Sequence, residues 1–326
     1  MSEISKEELQ KARQIIGNIM GYYESKVVGQ TQLGTSILVA MMANGHILLE
    51  SVPGLAKTTA AKVMTEAVAG QFSRIQCTPD LIPSDIIGTQ IYNSQTNTFE
   101  NKLGPVYGNF ILLDEINRSS AKTQSAMLEA MQEHAVTIGG QKYKMPDVFV
   151  VIATQNPVEQ EGTYVLSEAQ MDRFLLKVEL DYPNPEEEMA ILSRIESGVF
   201  NTSSSVATIE DIEYLQGLCK RVYIDPSIKK YIVSIVNATR HAEDFIDKDL
   251  ADYITMGAST RASIAFMDAA KAMALIQGRN YCTPEDVKSM RQSVLRHRIM
   301  LNFAAVADGV QEEMIIDKIV GAINTP

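Results

Sequence analysis

The chain has 326 residues, 45% of them apolar and 21% charged, with 19 glycines and 11 prolines. At roughly 150 residues per domain this predicts about two domains with ample buried core, and it excludes a peptide, a disulfide-stapled scaffold and a disordered or collagen-like chain. Twenty-nine Lys and Arg against 40 Asp and Glu leave a formal charge of -11, so no global positive field draws the protein to nucleic acid or to anionic lipid, and neither partner is expected. Cys77, Cys219 and Cys282 are an odd number without CxxC spacing and are expected as small buried hydrophobes in a reducing compartment. The first residues lack a basic then apolar leader, and no apolar run approaches the ~18 residues of a membrane span. A cytoplasmic protein with no direct membrane insertion is the expectation.

Taken in chain order, an amphipathic start runs to about Tyr23, a helical pattern covers Gln30 to Asn44, and His46 to Glu50 is a short apolar run expected as a buried strand. Similar runs recur at Phe72 to Gln76, Phe110 to Asp114, Val148 to Thr154 and Phe174 to Val178. Short strands separated by crossovers predict an α/β fold, a parallel sheet with helices on both faces and right-handed connections. Two segments break the rhythm. Thr78 to Pro105 is rich in Pro, Gly, Asn, Thr and Asp and holds a strand-like pair around Gln90 to Tyr92 and Thr98 to Glu100. Ala135 to Met145 alternates up to Gly139-Gly140 and returns through Tyr143, a two-residue hairpin signal. Both are expected to project from the sheet. Beyond about Val178 the strand signals fade. Pro183, Pro185 and Glu186 to Glu188 open a helix, Asn201 to Ser205 reads as a polar linker, and Thr208 and Thr283 each cap a helix with an acidic first turn. The boundaries are therefore 1–182 for an α/β domain and 183–326 for a helical one, and no repeat period suggests a solenoid.

The segment HILLESVPGLAKTT runs from apolar strand through a Gly/Pro loop to Lys57, Thr58 and a helix from Thr59 to Val68. Such a loop aims backbone N–H groups and a helix start at phosphate oxygens, with Lys57 reaching the β- and γ-phosphates and the Thr58 hydroxyl ligating Mg²⁺. Ser51 and Ala56 stand where the strict GxxxxGK[ST] pattern has glycine, and a plain strand-to-helix turn carrying a surface lysine is the bland alternative. The run NFILLDEINR ends in Asp114-Glu115, a carboxylate pair suited to holding Mg²⁺ and deprotonating an attacking water, or else a solvated strand end. After the next run, Asn156 is placed to hold a water or the γ-phosphate, although Asn before Pro157 is also an ordinary turn. Arg173, just before the fifth run, reads either as an arginine finger for a neighbouring subunit or as a surface ion-pair partner.

Together VVGQ at 27–30, VPGLAKT, TPDLIPSDIIGT, GPVYGNFILLDEINRSSAKTQSAMLEAMQE, VIATQNP, SEAQMDRFLLKV and GASTRA resemble the MoxR family of AAA+ ATPases over about residues 27–265. The resemblance implies an αβα core with strand order 5-1-4-3-2, an insert in helix 2 within 78–105, a hairpin over 135–146 ahead of sensor 1, and a C-terminal helical lid. It assigns ATP and Mg²⁺ as cofactors. Pro53, Gly54, Leu55, Ala56, Lys57, Thr58 and Thr59 fall in Walker A, Asp114 and Glu115 in Walker B, and Asn156 at sensor 1. Arg173 matches the arginine finger, and Arg261 matches sensor 2, which touches the nucleotide from the lid. Val28, Gly29 and Gln30 match the segment near adenine, and Thr58 and Asp114 the metal ligands. The family implies a homo-oligomeric ring, usually a hexamer. It also implies von Willebrand factor A domain partners and chaperone-like remodelling in complex maturation or metal-cofactor insertion.

Other chemistries lack their residues. Asn101-Lys102-Leu103-Gly104 misses the carboxylate of a guanine-reading NKxD, SxxK at Ser119 and Ser227 has no SDN or KTG companion, and His46, His134, His241 and His297 lack ligand spacing. Met41, Met42, Met127 and Met131 fall on helical faces and are expected as core filling. Arg291, Arg296, His297 and Arg298 make a short basic patch, read as a solvated helix face, with contact to a partner or to nucleic acid as the alternative. The reading is an ATP-hydrolysing ring motor. A nucleotide-gated scaffold with little turnover and a DNA-acting, helicase-like ring are the alternatives.

Overall fold

The computed structural model describes residues 3–52, 55, 57–157, 163–198 and 204–326. The five apolar runs become β1 (Ile47–Glu50), β2 (Phe72–Gln76), β5 (Phe110–Asp114), β8 (Val150–Gln155) and β9 (Leu176–Glu179), joined in one sheet of order β2-β5-β8-β1-β9. All neighbours run parallel, with Phe72 beside Phe110, Phe110 beside Val150, and Ile47 flanked by Ile152 and Leu176. Numbered among themselves, these strands have the order 5-1-4-3-2 that the resemblance implied. The runs are continuous rather than alternating because both faces are covered: Phe110 and Leu112 enter one apolar cluster, and Ile111 and Leu113 enter another on the opposite face.

Helices α1 (Lys6–Lys26), α2 (Thr31–Met42) and α3 (Lys57–Ala67) cover the first face. Ser5 starts α1 with a reciprocal cap, its hydroxyl accepting from the Glu8 amide and the Glu8 carboxylate accepting from the Ser5 amide. Helix α5 (Ala121–Glu133) covers the other face with Met127, Leu128 and Met131, and the short α4 (Pro83–Ile87) and α6 (Glu168–Met171) lie in connections.

Both interruptions are antiparallel hairpins, β3 (Gly88–Asn93) with β4 (Thr98–Leu103), and β6 (Ala135–Ile138) with β7 (Gln141–Lys144). The second turns on Gly139 and Gly140, both at positive φ as a tight two-residue turn requires. The hairpins are joined to each other. The Asn101 amide donates to the Ile138 carbonyl at 3.1 Å and to the Tyr143 hydroxyl at 3.0 Å, and a Cβ at Gly139 would stand 2.5 Å from the Gln90 side chain.

The C-terminal part is helical: α7 (Pro185–Glu196), α8 (Ile209–Arg221), α9 (Pro226–Ala238), α10 (Lys248–Ala251), α11 (Thr260–Ile276), α12 (Pro284–Ser289), α13 (Arg291–Leu295), α14 (Phe303–Ala307) and α15 (Glu312–Ala322). Thr208 and Thr283 cap α8 and α12. An antiparallel pair, β10 (Ile254–Met256) with β11 (Met300–Leu301), was not anticipated, because three and two residues are too short to show an alternating pattern. Helices α8 and α11 pack on α1 and α2 within one apolar cluster, and polar ties cross the junction, Gln216 to the Met41 carbonyl at 2.8 Å and Arg221 to Glu8 at 2.6 Å.

The expected solvated basic patch is an internal structure instead. Arg296 pairs with Glu313 at 2.9 Å, Arg291 pairs with Asp317 at 2.6 Å, and His297 and Arg298 are buried against the segment that leads into β9. Their acidic partners lie 17 or more residues away in sequence, so a run of local positive charge did not reveal them. The cysteines are free and buried, the four methionines fill the core, and no helix among the described residues is long and apolar enough to cross a membrane.

Candidate functional site

Parallel strands place all their carboxyl ends on one edge, which is where such sheets bind ligands. At that edge β1 delivers Ser51 and the chain that returns as Lys57 and Thr58 in the first turn of α3, an 11-residue helix whose amino end offers free N–H groups. Pro53, Gly54 and Ala56 lie outside the described residues; Leu55 is buried. Lys57 Nζ donates to the Ser51 carbonyl at 3.2 Å. Burial holds its pKa below the ordinary lysine value, while Asp114 and Glu115 push it back up, so the ammonium lies within electrostatic reach of both carboxylates.

Asp114 ends β5 and is nearly buried. Its Oδ1 accepts from the Thr154 hydroxyl at 2.8 Å, and Thr154 in turn accepts from the Glu115 amide at 2.9 Å, a relay that locks the carboxylate pair onto β8. Glu115 sits in the left-handed region at φ 58°, ψ 53°, a conformation a non-glycine residue keeps only when its surroundings hold it. Its Oε2 accepts from Gln76 at 3.0 Å and from Arg118 at 3.2 Å. Asn156 follows β8 and is buried at the same edge. Beside the start of α3 a cavity of about 420 Å³ is lined by Val27, Val28, Thr58, Thr59, Ile191 and Ile195, which brings the 27–30 segment to the Lys57 helix. Gly29 has φ +70°, and a Cβ there would meet the Glu187 carboxylate at 2.5 Å; the Gln30 carbonyl accepts from the Tyr23 hydroxyl at 3.1 Å.

Arg173 and Arg261 lie at the amino-end edge. Arg173 precedes β9 and donates to the Gln132 side chain and, at 3.4 Å, to the Leu128 carbonyl. Its neighbour Asp172 collects three groups from the lid: Arg298 Nε at 2.8 Å, the Ser259 hydroxyl at 2.8 Å and Arg261 at 3.5 Å. Arg298 is also bound to the carbonyls of Phe174 at 2.6 Å and Leu175 at 3.2 Å. Arg173, Arg261 and Asp172 share a cavity of about 250 Å³ with His46, the residue just before β1. His46 Nδ1 accepts from the Val151 amide at 3.0 Å, so Nε2 carries the proton and donates to the Met131 carbonyl at 3.3 Å. Burial lowers its pKa to about 4. Lys57 follows β1 and His46 precedes it, so the two edges are separated by the strand's four residues, about 13 Å. The lid packs on α1 and α2 and hangs the start of α11 beside Arg173, so Arg261 stands at the edge opposite the Lys57 of its own chain.

A family model described as the ATPase family associated with various cellular activities matches residues 46–176, and an AAA lid domain model matches 247–319. The chain is 45% identical over 301 residues to the chaperone MoxR1 of Mycobacterium tuberculosis, covering 92% of this chain and 79% of that protein. The chain belongs to the MoxR family of AAA+ ATPases. YeaC of Bacillus subtilis, of uncharacterised function, is 44% identical over 313 residues, covering 96% and 95% of the two chains. A crystal structure from Cytophaga hutchinsonii, described as a candidate ATPase, superposes with TM-score 0.92 at 44% identity over 98% of both chains.

A MoxR-family ATPase implies a bound nucleotide, usually with Mg²⁺, and the residues present fit one. A hydroxyl at Thr58 and a carboxylate at Asp114 are the hard oxygen donors Mg²⁺ takes, Lys57 and the start of α3 suit phosphate, and the cavity whose apolar wall is Val27, Val28 and Ile191, with Lys26, Lys62 and Glu66 also lining it, suits a planar base with polar edges. Two polar residues of the site, Arg74 and Gln76, are not singled out in the sequence, whereas Thr154 is one of the polar residues that end the fourth apolar run at the ligand-binding edge. Arg74 and Gln76 lie on one face of β2 and reach Asp114 and Glu115, and Thr154 links the Asp114 carboxylate to the Glu115 backbone amide. The only signal of Arg74 and Gln76 is the i, i+2 spacing of polar residues within FSRIQ, which an edge strand shows equally when it does nothing but face water.

Proposed function

We propose that this MoxR-family protein binds ATP with Mg²⁺ and hydrolyses it at sites completed between copies of the chain in a ring, expected as a hexamer. The observation that carries the reading is the division of the charged residues. Lys57, Asp114 and Glu115 converge at one edge of the sheet, and Arg173 and Arg261 stand together at the other. In this reading Lys57 Nζ and the amides opening α3 bind the phosphates, while Thr58 and Asp114 hold the metal, which supplies positive charge to the β- and γ-oxygens when bound. The Glu115 carboxylate orients the attacking water and takes its proton, and Asn156 fixes that water's position. Arg173 and Arg261 stand at the opposite edge from Lys57 of their own chain, about 13 Å away along the sheet, so they are offered to a neighbour, where such an arginine contributes on the order of 10³ to 10⁵ in rate.

The joined hairpins, with Tyr92 and Phe99 exposed near the tip of the first, are the surface that moves against a protein client. Chaperone-like remodelling in complex maturation or metal-cofactor insertion, with von Willebrand factor A domain proteins as partners in the cytoplasm, follows from the family membership and is proposed on that basis.

The test is steady-state ATP turnover with Mg²⁺ over a protein dilution series, with Glu115→Gln in parallel. Turnover per protomer that falls on dilution and vanishes in the variant is expected. Turnover equal to that of the variant overturns the motor in favour of a nucleotide-gated scaffold, and DNA-stimulated, salt-sensitive turnover points to a DNA-acting ring.

A further inference from the structure

The two oxygens of Asp114 are engaged by partners of different kinds. Oδ1 takes the hydroxyl of Thr154, which is fully buried and itself pinned by the Glu115 amide. Oδ2 takes two bonds from one guanidinium, Arg74 Nε at 3.1 Å and Nη2 at 2.6 Å, with Nη2 also reaching Gln76 at 3.0 Å. The Asp114 side chain is only 12% exposed, whereas that of Arg74 is 50% exposed on β2, the edge strand of the sheet. A carboxylate so enclosed is expensive to leave without a counter-charge, but a guanidinium half in water leaves its partner at little cost. Arg74 is thus the replaceable member of the pair and Asp114 the fixed one.

We propose that Arg74 is a positioning residue that stands in for the divalent cation. It neutralises Asp114 Oδ2 while no metal nucleotide is bound, and yields that oxygen to Mg²⁺ when the nucleotide brings it. This rests on the reading of the site as a Mg²⁺–ATP site. Two consequences follow from charge alone. A guanidinium on Oδ2 excludes the metal from the same lone pairs and repels it, so Arg74 weakens the binding of the Mg²⁺-loaded nucleotide. In the absence of metal the same guanidinium masks a carboxylate that would repel phosphate, so Arg74 strengthens the binding of the bare nucleotide. Arg74 therefore sets how strongly nucleotide affinity depends on Mg²⁺.

The experiment measures the dissociation constant of a fluorescent mant-ADP for the full chain, once with Mg²⁺ and once with EDTA, in the wild type, Arg74→Met and Arg74→Lys. The quantity read is the ratio of the EDTA constant to the Mg²⁺ constant. General damage to the fold multiplies both constants alike and leaves this ratio unmoved. In Arg74→Met the ratio is expected to rise about tenfold, the effect of one half-exposed charge-assisted pair, with Arg74→Lys between it and the wild type. In an Asp114→Asn background Arg74→Met is expected to leave the ratio unchanged. A ratio that stays constant or falls in Arg74→Met, while the wild type binds mant-ADP more tightly with Mg²⁺, overturns the stand-in and leaves the nucleotide site intact. A wild type that binds mant-ADP in neither condition overturns the nucleotide reading and this proposal with it.

Discussion

Breaking the Asp172–Arg298 pair tests how the lid is anchored to the sheet. The Arg298 side chain is 2% exposed and that of Asp172 15%, and their contact at 2.8 Å joins the turn after α13 to the segment leading into β9. Asp172→Asn keeps an acceptor but removes the one carboxylate that, among the described residues, pairs with a buried guanidinium bound otherwise to carbonyls of Asp172, Phe174, Leu175 and Val294. Breaking a buried pair from one side costs about 3–5 kcal/mol, and the surviving carbonyl dipoles reduce that to about 2 kcal/mol here. Arg298→Met is expected to cost about the same, because it leaves the Phe174 and Leu175 carbonyls without their donor. The double variant, with no charge left on either side, should lose much less than the sum, for a coupling of about 2 kcal/mol. Urea unfolding followed by far-UV circular dichroism, compared at constant m-value, gives the four stabilities. Additivity to within about 0.5 kcal/mol would refute the argument and assign the lid's attachment to apolar packing alone.

Two further outcomes are expected. Lys57→Ala and Arg173→Ala proteins, each without turnover alone, should regain part of it when mixed, since a mixed ring contains interfaces with both residues intact; mixtures as inactive as their components would place Arg173 outside the neighbour's site. His46 titrates near 4 in the folded chain against an ordinary 6.5, so its contribution is complete above about pH 7 and is lost as pH falls through 6.5 toward 4. The loss attributable to it between pH 7 and 5.5 is about 1 kcal/mol. The urea midpoint should fall over that range, and less steeply in His46→Gln; equal slopes would show that His46 is not held neutral.

The features legible in the sequence are those whose cause is local. Ile111 and Leu113 alternate with Phe110 and Leu112 in a run with no polar break, so a strand buried on both faces is readable before any partner is known. The Gly139-Gly140 turn and the caps at Thr208 and Thr283 are likewise set by a few adjacent residues. Features that depend on distant partners were not legible. Arg296 and Arg298 look like a solvated run until Glu313 and Asp172 fold against them, and Arg74 looks like surface until β5 lies beside β2. The left-handed backbone of Glu115 leaves no mark in DEINR, because the Thr154 relay that holds it comes from a strand 39 residues on. The placement of Arg261 is hidden for the same reason: GASTRA identifies the residue, but the packing of α8 and α11 on α1 and α2 decides which edge of the sheet it faces.

That packing also governs where the molecule can bend. Tyr23, Met41 and Met42 from the first helices and Leu215 and Phe266 from the lid belong to one uninterrupted apolar cluster. A crease between the two halves of the chain would have to open this cluster, at roughly 1.5–3 kcal/mol for each large side chain exposed to water. The chain is accordingly stiff across this junction, with Arg173 and Arg261 mounted on it as a fixed pair. In the proposed ring the compliant joints are the seams between copies, so a change in nucleotide is felt as a rotation of neighbours against each other rather than as the closing of a jaw within one chain.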